Sequence, residues 1–342
     1  MSKNKRPITL NNIAKKLNVS TVTVSKALRD HTDISESLTK KIKKTAEQLG
    51  YFPNFAARNL SSKKTNTIGV IVPVIANYFF ANIVEAIYEC AFENNYDIIL
   101  AVSQEDSKKE RKHLETMLSM RVDGIIISAS EHSENEDIFK RINKMKLPIV
   151  FFDRTINNSD YSSVTLTNKE GSFKAIENVI KNGYKKIGHI GGWQDSNIGR
   201  DRYAGFKQAM RKHKLSINKN SVIFSGFGKE DGYNSFIKMY NENNLPDFLF
   251  AITFPVALGI VEAAKDMGRK IPKDIDIICF GDSDLNNYLK PSISCVTHNI
   301  SDFASKVFKL VLNQIDTKKN FAVKHFEIET ELILKDTCII KH

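Results

Sequence analysis

Thr21, Val22 and Lys26 open the stretch TVTVSKAL with a spacing that could do chemistry. On a helix they share one outward face, and Val24, Ala27 and Leu28 share the opposite one. A β-branched methyl can meet a thymine methyl, and a lysine one turn on can reach guanine acceptors. A second set offers different chemistry: Tyr78, Phe79, Phe80, Asp153, Arg154, Trp193, Arg200, Arg202 and Asp282 all follow short apolar runs. Aromatic faces stack on sugar or base rings, while Asp and Arg hold hydroxyls through directional hydrogen bonds. Both sets bind rather than catalyse. No GxSxG or HExxH pattern occurs, and GFGKEDG (226–232) fits neither GxGxxG nor a P-loop, so it reads as a turn. Cys90, Cys279, Cys295 and Cys338 form no CxxC or Cys/His cluster, so neither a disulfide framework nor a metal site is expected, and no cofactor is called for.

The first set sits in a basic head. Residues 1–64 hold 14 Lys/Arg against 4 Asp/Glu, which is +10 of the whole chain's +11. So basic a segment points to phosphate neutralisation, with nucleic acid as the leading partner. Ile13, Ala14 and Leu17 repeat at helical spacing, as do Val24, Ala27 and Leu28 after a break at Asn18–Ser20. Thr9 and Ser20 suit the two N-caps. Ser35 opens a third helix with Leu38, Ile42, Ala46 and Leu49 on one face and Gly50 as its stop. Three short helices around a small core make a helix-turn-helix, in which packing overrides the local strand preference of TVTV.

The remaining residues are almost neutral. TIGVIVP, YDIILAV, DGIIISA and PIVFFD read as buried strands, with helices near 80–94, 107–121 and 134–145 between them. A second series follows: KKIGHIGG, SVIFSG, DFLFAIT and DIDIICFG, with helices near 169–181, 200–213, 230–242 and 256–268. Two doubly wound α/β lobes are expected, with ligands beyond the carboxyl ends of the strands, in the cleft between lobes. The opening MSKNKRPITLNN lacks an apolar signal region and no run approaches membrane-spanning length, so a cytoplasmic protein that uses no membrane is expected.

With these motifs the chain resembles the LacI/GalR family of bacterial repressors. The family's opening pattern is reproduced from Thr9 to Ser25, with Asn18 where glycine is usual. YFPNFAARNL and TNTIGVIVP match its hinge and first core strand, and FFDR, RDRYAGFKQAM and KPSISCVTHNI have counterparts further on. The resemblance implies an all-α helix-turn-helix DNA-binding domain over 1–52 and a hinge helix or linker over 53–64. It implies a periplasmic-binding-protein-like effector and dimerisation domain over 65–342, with an N-lobe of about 65–164 and 295–326 and a C-lobe of about 165–292 and 327–342. It assigns Thr21, Val22 and Lys26 to bases, Ser20, Thr23 and Ser25 to phosphates, and Thr9 and Arg29 to the same DNA surface. In the hinge, Asn54 is the cap, Ala57 lines the apolar face and Leu60 wedges into the minor groove.

For the effector, the resemblance singles out Asp153, Arg154 and Arg202, joined by Phe79, Phe80, Trp193, Thr253, Phe254, Asp282 and His298. Thr253 and Phe254 replace the family's Asn-Asp, Gly281 breaks its Gly-Phe-Asp-Asp, and His298 replaces its Gln. These departures argue against an ordinary pentose or hexose and for a larger or less hydroxyl-rich carbohydrate, such as an oligosaccharide or an acidic sugar using Arg202. The expected function is a transcriptional regulator, a repressor, that binds palindromic operator DNA as a homodimer under control of a small-molecule effector. The alternatives are a two-lobe small-molecule receptor, or a regulator answering to a purine-type corepressor or a protein partner.

Overall fold

The computed structural model describes residues 8–52, 64–156, 160–317 and 321–338, and the chain divides after Thr65 into two units. In the first, the helical repeats form α1 (Leu10–Leu17), α2 (Thr21–Ala27) and α3 (Glu36–Leu49). Ile13, Ala14, Val24, Ala27, Ile42 and Ala46 make its buried core, flanked by Leu17, Leu28, Leu38 and Leu49. Full burial of an aliphatic side chain such as Ile13 or Val24 contributes about 1.5–3 kcal/mol, enough to turn a β-branched run into helix. The ends are capped locally. Asn12 Oδ1 accepts from the backbone N and the hydroxyl of Thr9 at 2.8 and 2.7 Å, and Ser20 Oγ accepts from the Thr23 N–H at 2.9 Å. Asn18, in the place where glycine is usual, closes α1 at φ 51°, the left-handed region that asparagine tolerates better than most residues. Gly50 closes α3 at φ 68°.

The second unit holds two six-stranded sheets. The first comprises β1 (Thr67–Val72), β2 (Asp97–Val102), β3 (Gly124–Ile127), β4 (Ile149–Phe152), β5 (Ser162–Leu166) and β11 (His325–Ile328), in the order β11-β5-β4-β3-β1-β2, all parallel. The second comprises β6 (Ile187–Gly191), β7 (Val222–Phe224), β8 (Phe248–Ala251), β9 (Asp276–Phe280), β10 (Ser294–Thr297) and β12 (Glu331–Ile333), in the order β12-β10-β9-β8-β6-β7. Only the β10–β12 pair runs antiparallel. Helices α4 (Tyr78–Glu93), α5 (Ser107–Met120) and α6 (Glu136–Lys144) belong to the first lobe, with α11 (Ile300–Asp316) returning to pack on α4. Helices α7 (Asn168–Lys181), α8 (Asn197–Lys212), α9 (Lys229–Asn241) and α10 (Phe254–Asp266) belong to the second. Among the described residues no helix is long and apolar enough to cross a membrane.

Some expectations are corrected. YDIILAV and SVIFSG, read as buried strands, are half-exposed edges, because β2 and β7 each have a neighbour on one side only. The chain leaves the second sheet after Thr297 and re-enters it at Glu331, near the lobe boundaries expected at about 295 and 327.

Candidate functional sites

On the basic head, α2 turns Thr21 and Val22 to solvent, and Val22 is 62% exposed. Lys26 is partly covered because its ammonium donates to Asp33. Arg29 folds back along the helix, its Nε donating to Ser25 O at 3.0 Å and its Nη2 to Ser25 Oγ at 3.3 Å. The hydroxyls of Thr9, Ser20, Thr23 and Ser25 are therefore all engaged within the head. Lys43 pairs with Asp30 at 2.5 Å and Lys40 with Glu36 at 2.6 Å, whereas Lys15, Lys16, Lys41 and Lys44 make no ion pair among the described residues. Asn54, Ala57 and Leu60 lie outside the described residues.

Between the two lobes of the second unit, beyond the strand ends, lies a cavity of about 70 Å³. Phe79, Phe80, Asp153, Arg154, Arg202, Thr253, Phe254, Asp282 and His298 all line it, and Phe227 and Phe280 complete its walls. Asp153 follows β4 at φ 56°, a strained backbone that turns its side chain out of the strand. Its carboxyl accepts no hydrogen bond among the described residues, and burial pushes its pKa up, against the opposing pull of Arg202 and Arg154. Arg202, on α8, is 5% exposed and already committed: Nε donates to Asn168 Oδ1 at 2.9 Å and Nη1 to Ile252 O at 2.7 Å. Burial brings its pKa down to about 10, and its planar face lies over Phe280.

Both ring nitrogens of His298 are buried with no hydrogen-bond partner, and desolvation pushes its pKa down to about 4, so the imidazole is neutral. Thr253 caps α10, donating its hydroxyl to Phe227 O at 2.8 Å. Asp282 is tied to Lys335 at 2.9 Å and to Asn286 at 2.8 Å. Trp193, expected with the effector set, does not line this cavity. It lies against His132 of the other lobe at 5.8 Å, because the loop after β6 runs outward before α8 begins.

Gly199 allows that path, since a Cβ there would stand 2.0 Å from the Trp193 carbonyl. The two lobes touch directly around it. Asn197 Nδ2 donates to Asp153 O at 2.8 Å, the Thr155 N–H donates to Asn197 Oδ1 at 3.2 Å, and His132 Nδ1 is 2.8 Å from Asp195 Oδ2.

Residues 9–54 match the family described as bacterial regulatory proteins, lacI family, and residues 176–338 match the periplasmic binding protein-like domain. The catabolite control protein A of Priestia megaterium is 30% identical over 305 residues, which cover 89% of this chain and 91% of that protein. The chain belongs to the lacI family. This lacI-family protein is a DNA-binding transcriptional regulator, as are the catabolite control protein A and the ribose operon repressor that it resembles, neither of which is an enzyme. The ribose operon repressor of Halalkalibacterium halodurans is 30% identical over 329 residues, 96% of each chain. The lac repressor dimer, solved bound to operator and the anti-inducer ONPF, shares the fold at a TM-score of 0.86 and 20% identity, over 98% of this chain and 100% of that one.

Sequence reasoning missed the partners of several site residues. Phe227 carries the Arg154 guanidinium at 4.9 Å from its ring centre, but it sits in a turn that shows no motif. Asn197 and Asp33 were equally silent, because each acts on a residue that only the fold brings close. Asn168 follows β5, a strand whose SSVTL pattern is too polar for the buried-run criterion.

Proposed function

We propose that this regulator reads a palindromic operator as a homodimer, with Thr21, Val22 and Lys26 of α2 facing bases and Ser20, Thr23, Ser25, Thr9 and Arg29 near phosphates. A carbohydrate-derived effector bound by Asp153, Arg202, His298 and the aromatic walls sets its operator affinity, and the protein acts in the cytoplasm. One helix-turn-helix spans only a half-site, so twofold pairing gives the geometry that a palindrome needs. The observation that carries the effector reading is the convergence of Asp153 and His298, polar groups without hydrogen-bonding protein partners, in one cavity between lobes. A ligand that joins them holds one closure state and shifts the DNA-binding equilibrium by its differential affinity.

An acidic sugar clamped by Arg202 is not favoured, because that guanidinium already gives Nε to Asn168 and one Nη1 N–H to Ile252 O, and its planar face lies over Phe280. Hydroxyls suit the site better: Asp153 accepts, and neutral His298 both donates and accepts. The name of the ribose operon repressor among the relatives is in keeping with a sugar-derived ligand. Selection of random duplexes with the full chain, followed by operator binding in the presence of neutral sugars, tests both halves. A selected site without twofold symmetry counts against the dimeric reading, and operator affinity indifferent to every sugar counts against a carbohydrate effector.

A further inference from the structure

The same cleft contains a second chamber, on the outer side of Arg154, of about 380 Å³. That volume falls within the usual range for small-molecule sites, about 300–1,000 Å³, whereas the inner cavity falls short of it. Its first-lobe wall is built, not loose. The fully buried Glu110 accepts from the Ser130 N–H at 2.6 Å, from Asn135 Nδ2 at 2.8 Å and from Ser133 Oγ at 2.5 Å, which pins the loop between β3 and α6. Ser130 also donates its hydroxyl to Ser103 Oγ at 2.9 Å. The second lobe contributes Asp195 and Asn197.

The lining carries Glu131, Glu134, Glu136 and Asp195 against the guanidinium of Arg154 and the imidazole of His132, whose Nδ1 lies 2.8 Å from Asp195 Oδ2. That guanidinium is already divided, 2.5 Å from Glu105 and 3.7 Å from Glu131, and its Nε is buried without a partner. Glu136 has Lys140 at 2.7 Å, but no lysine or second arginine faces Glu131. Burial, opposed by Arg154 and reinforced by Glu105, Asp231 and Asp195, pushes the Glu131 carboxyl up to about 7. Glu131 of the first lobe and Asp195 of the second thus flank one chamber, where the only cationic side chain near Glu131 is Arg154, already shared with Glu105. Among the described residues no cluster of His, Cys, Asp and Glu could hold a metal ion.

The geometry points to an amine subsite: the outer chamber takes a protonated amine carried on a hydroxylated ligand, with Glu131 as counter-charge and Asp195 closing from the other lobe. This rests on reading the cleft as an effector site. An ammonium there replaces carboxylate repulsion across the cleft with charge-assisted hydrogen bonds, so it favours the closed arrangement.

Calorimetric titration of the full chain with matched pairs tests it: D-glucose against D-glucosamine, and cellobiose against the β-1,4-linked glucosamine dimer. The aminated member of a pair should bind about tenfold more tightly than the neutral one, a charge-assisted contact's worth. Glu131→Gln should bring the two members level by weakening the aminated one. Equal binding of both members by the wild type, no binding of either aminated sugar, or a preference that survives Glu131→Gln overturns the amine subsite. Asp153→Asn separates the two readings. If it abolishes binding of the neutral sugars while no amine preference exists, the effector cavity stands and the outer subsite falls.

Discussion

Lys26 of α2 donates to Asp33, seven residues on in the turn before α3, so the lysine proposed to read a base edge is held by an acid of the same head. The hydrogen bond from Lys26 holds the Asp33 carboxyl below its ordinary range. Asp33 is exposed and Lys26 only partly covered, so the pair contributes little to stability. Its consequence lies in binding: on the proposed reading, DNA displaces Asp33 before Lys26 reaches a base.

Asp33→Asn should therefore raise affinity for operator and random DNA alike, by severalfold at low salt, with the gain shrinking as salt rises. Lys26→Ala should instead cost about 1–3 kcal/mol at one operator position and relax preference there alone. Anisotropy titrations at two salt concentrations, with operator selection for each variant, check both. Unchanged affinity in Asp33→Asn would mean that the pair does not compete with DNA.

Val22 and Val24 stand two residues apart with opposite fates, one 62% exposed and the other fully buried. Val22→Gln should leave urea stability within about 0.5 kcal/mol while shifting base preference next to the Lys26 position. Val24→Ala should cost about 2 kcal/mol through the cavity it leaves and weaken all DNA binding without changing the selected sequence. Selected sequences that respond in the reverse order would place the reading face on the wrong side of α2.

The contrast also shows what sequence made legible. A 3.6-residue repeat records which face of a helix is buried, so the three-helix head could be read although TVTV favours strand. The central strands were legible for a similar reason, since burial on both faces leaves unbroken apolar runs such as TIGVIV. Burial alternates or thins at the edges, so β2 looked more buried than it is, and the three-residue β12 left no pattern at all. The strand-end rule located Asp153, Arg154 and Arg202, but it carries no information on how far each is already hydrogen-bonded. Trp193 met the same rule and still fell outside the inner cavity, because the direction of a loop is set by contacts such as that between His132 and Asp195.

Arg202 and Asp153 face one cavity, yet their substitutions should separate. Arg202→Ala removes a buried guanidinium bonded to Asn168 and to Ile252 O and stacked on Phe280, and it leaves Asp153 with Arg154 alone as counter-charge. A loss of about 3–5 kcal/mol in denaturant stability is expected. Asp153→Asn keeps the shape and removes a desolvated charge, so stability should change by less than about 1 kcal/mol while the effector response of operator binding disappears. Equal destabilisation by both would make Asp153 a structural ion-pair partner.

The last prediction concerns acid. His189 on β6 is wholly buried, stacked on Phe250 at 4.9 Å, Phe206 at 5.4 Å and Tyr203 at 5.7 Å, with its Nδ1 2.9 Å from the Phe250 carbonyl and Nε2 unpartnered. Burial brings its pKa down to about 4, and His298 is lowered to about 4 by the same cause. The unfolded chain takes up these protons near pH 6.5 and the folded chain does not. The stability that the neutral imidazoles contribute is thus fully present above about pH 6.5 and is lost as pH falls toward about 4, by up to about 1.4 kcal/mol per pH unit for each group. Glu177, held down to about 2 by hydrogen bonds from Lys212, His213 and Lys181, acts in a lower window, below the ordinary carboxylate range. Urea denaturation at pH 7 and pH 5 should show the loss, and His189→Gln, which keeps a donor for Phe250 O, should remove about half of it. A pH dependence that His189→Gln leaves unchanged would mean that His189 titrates normally in the folded chain.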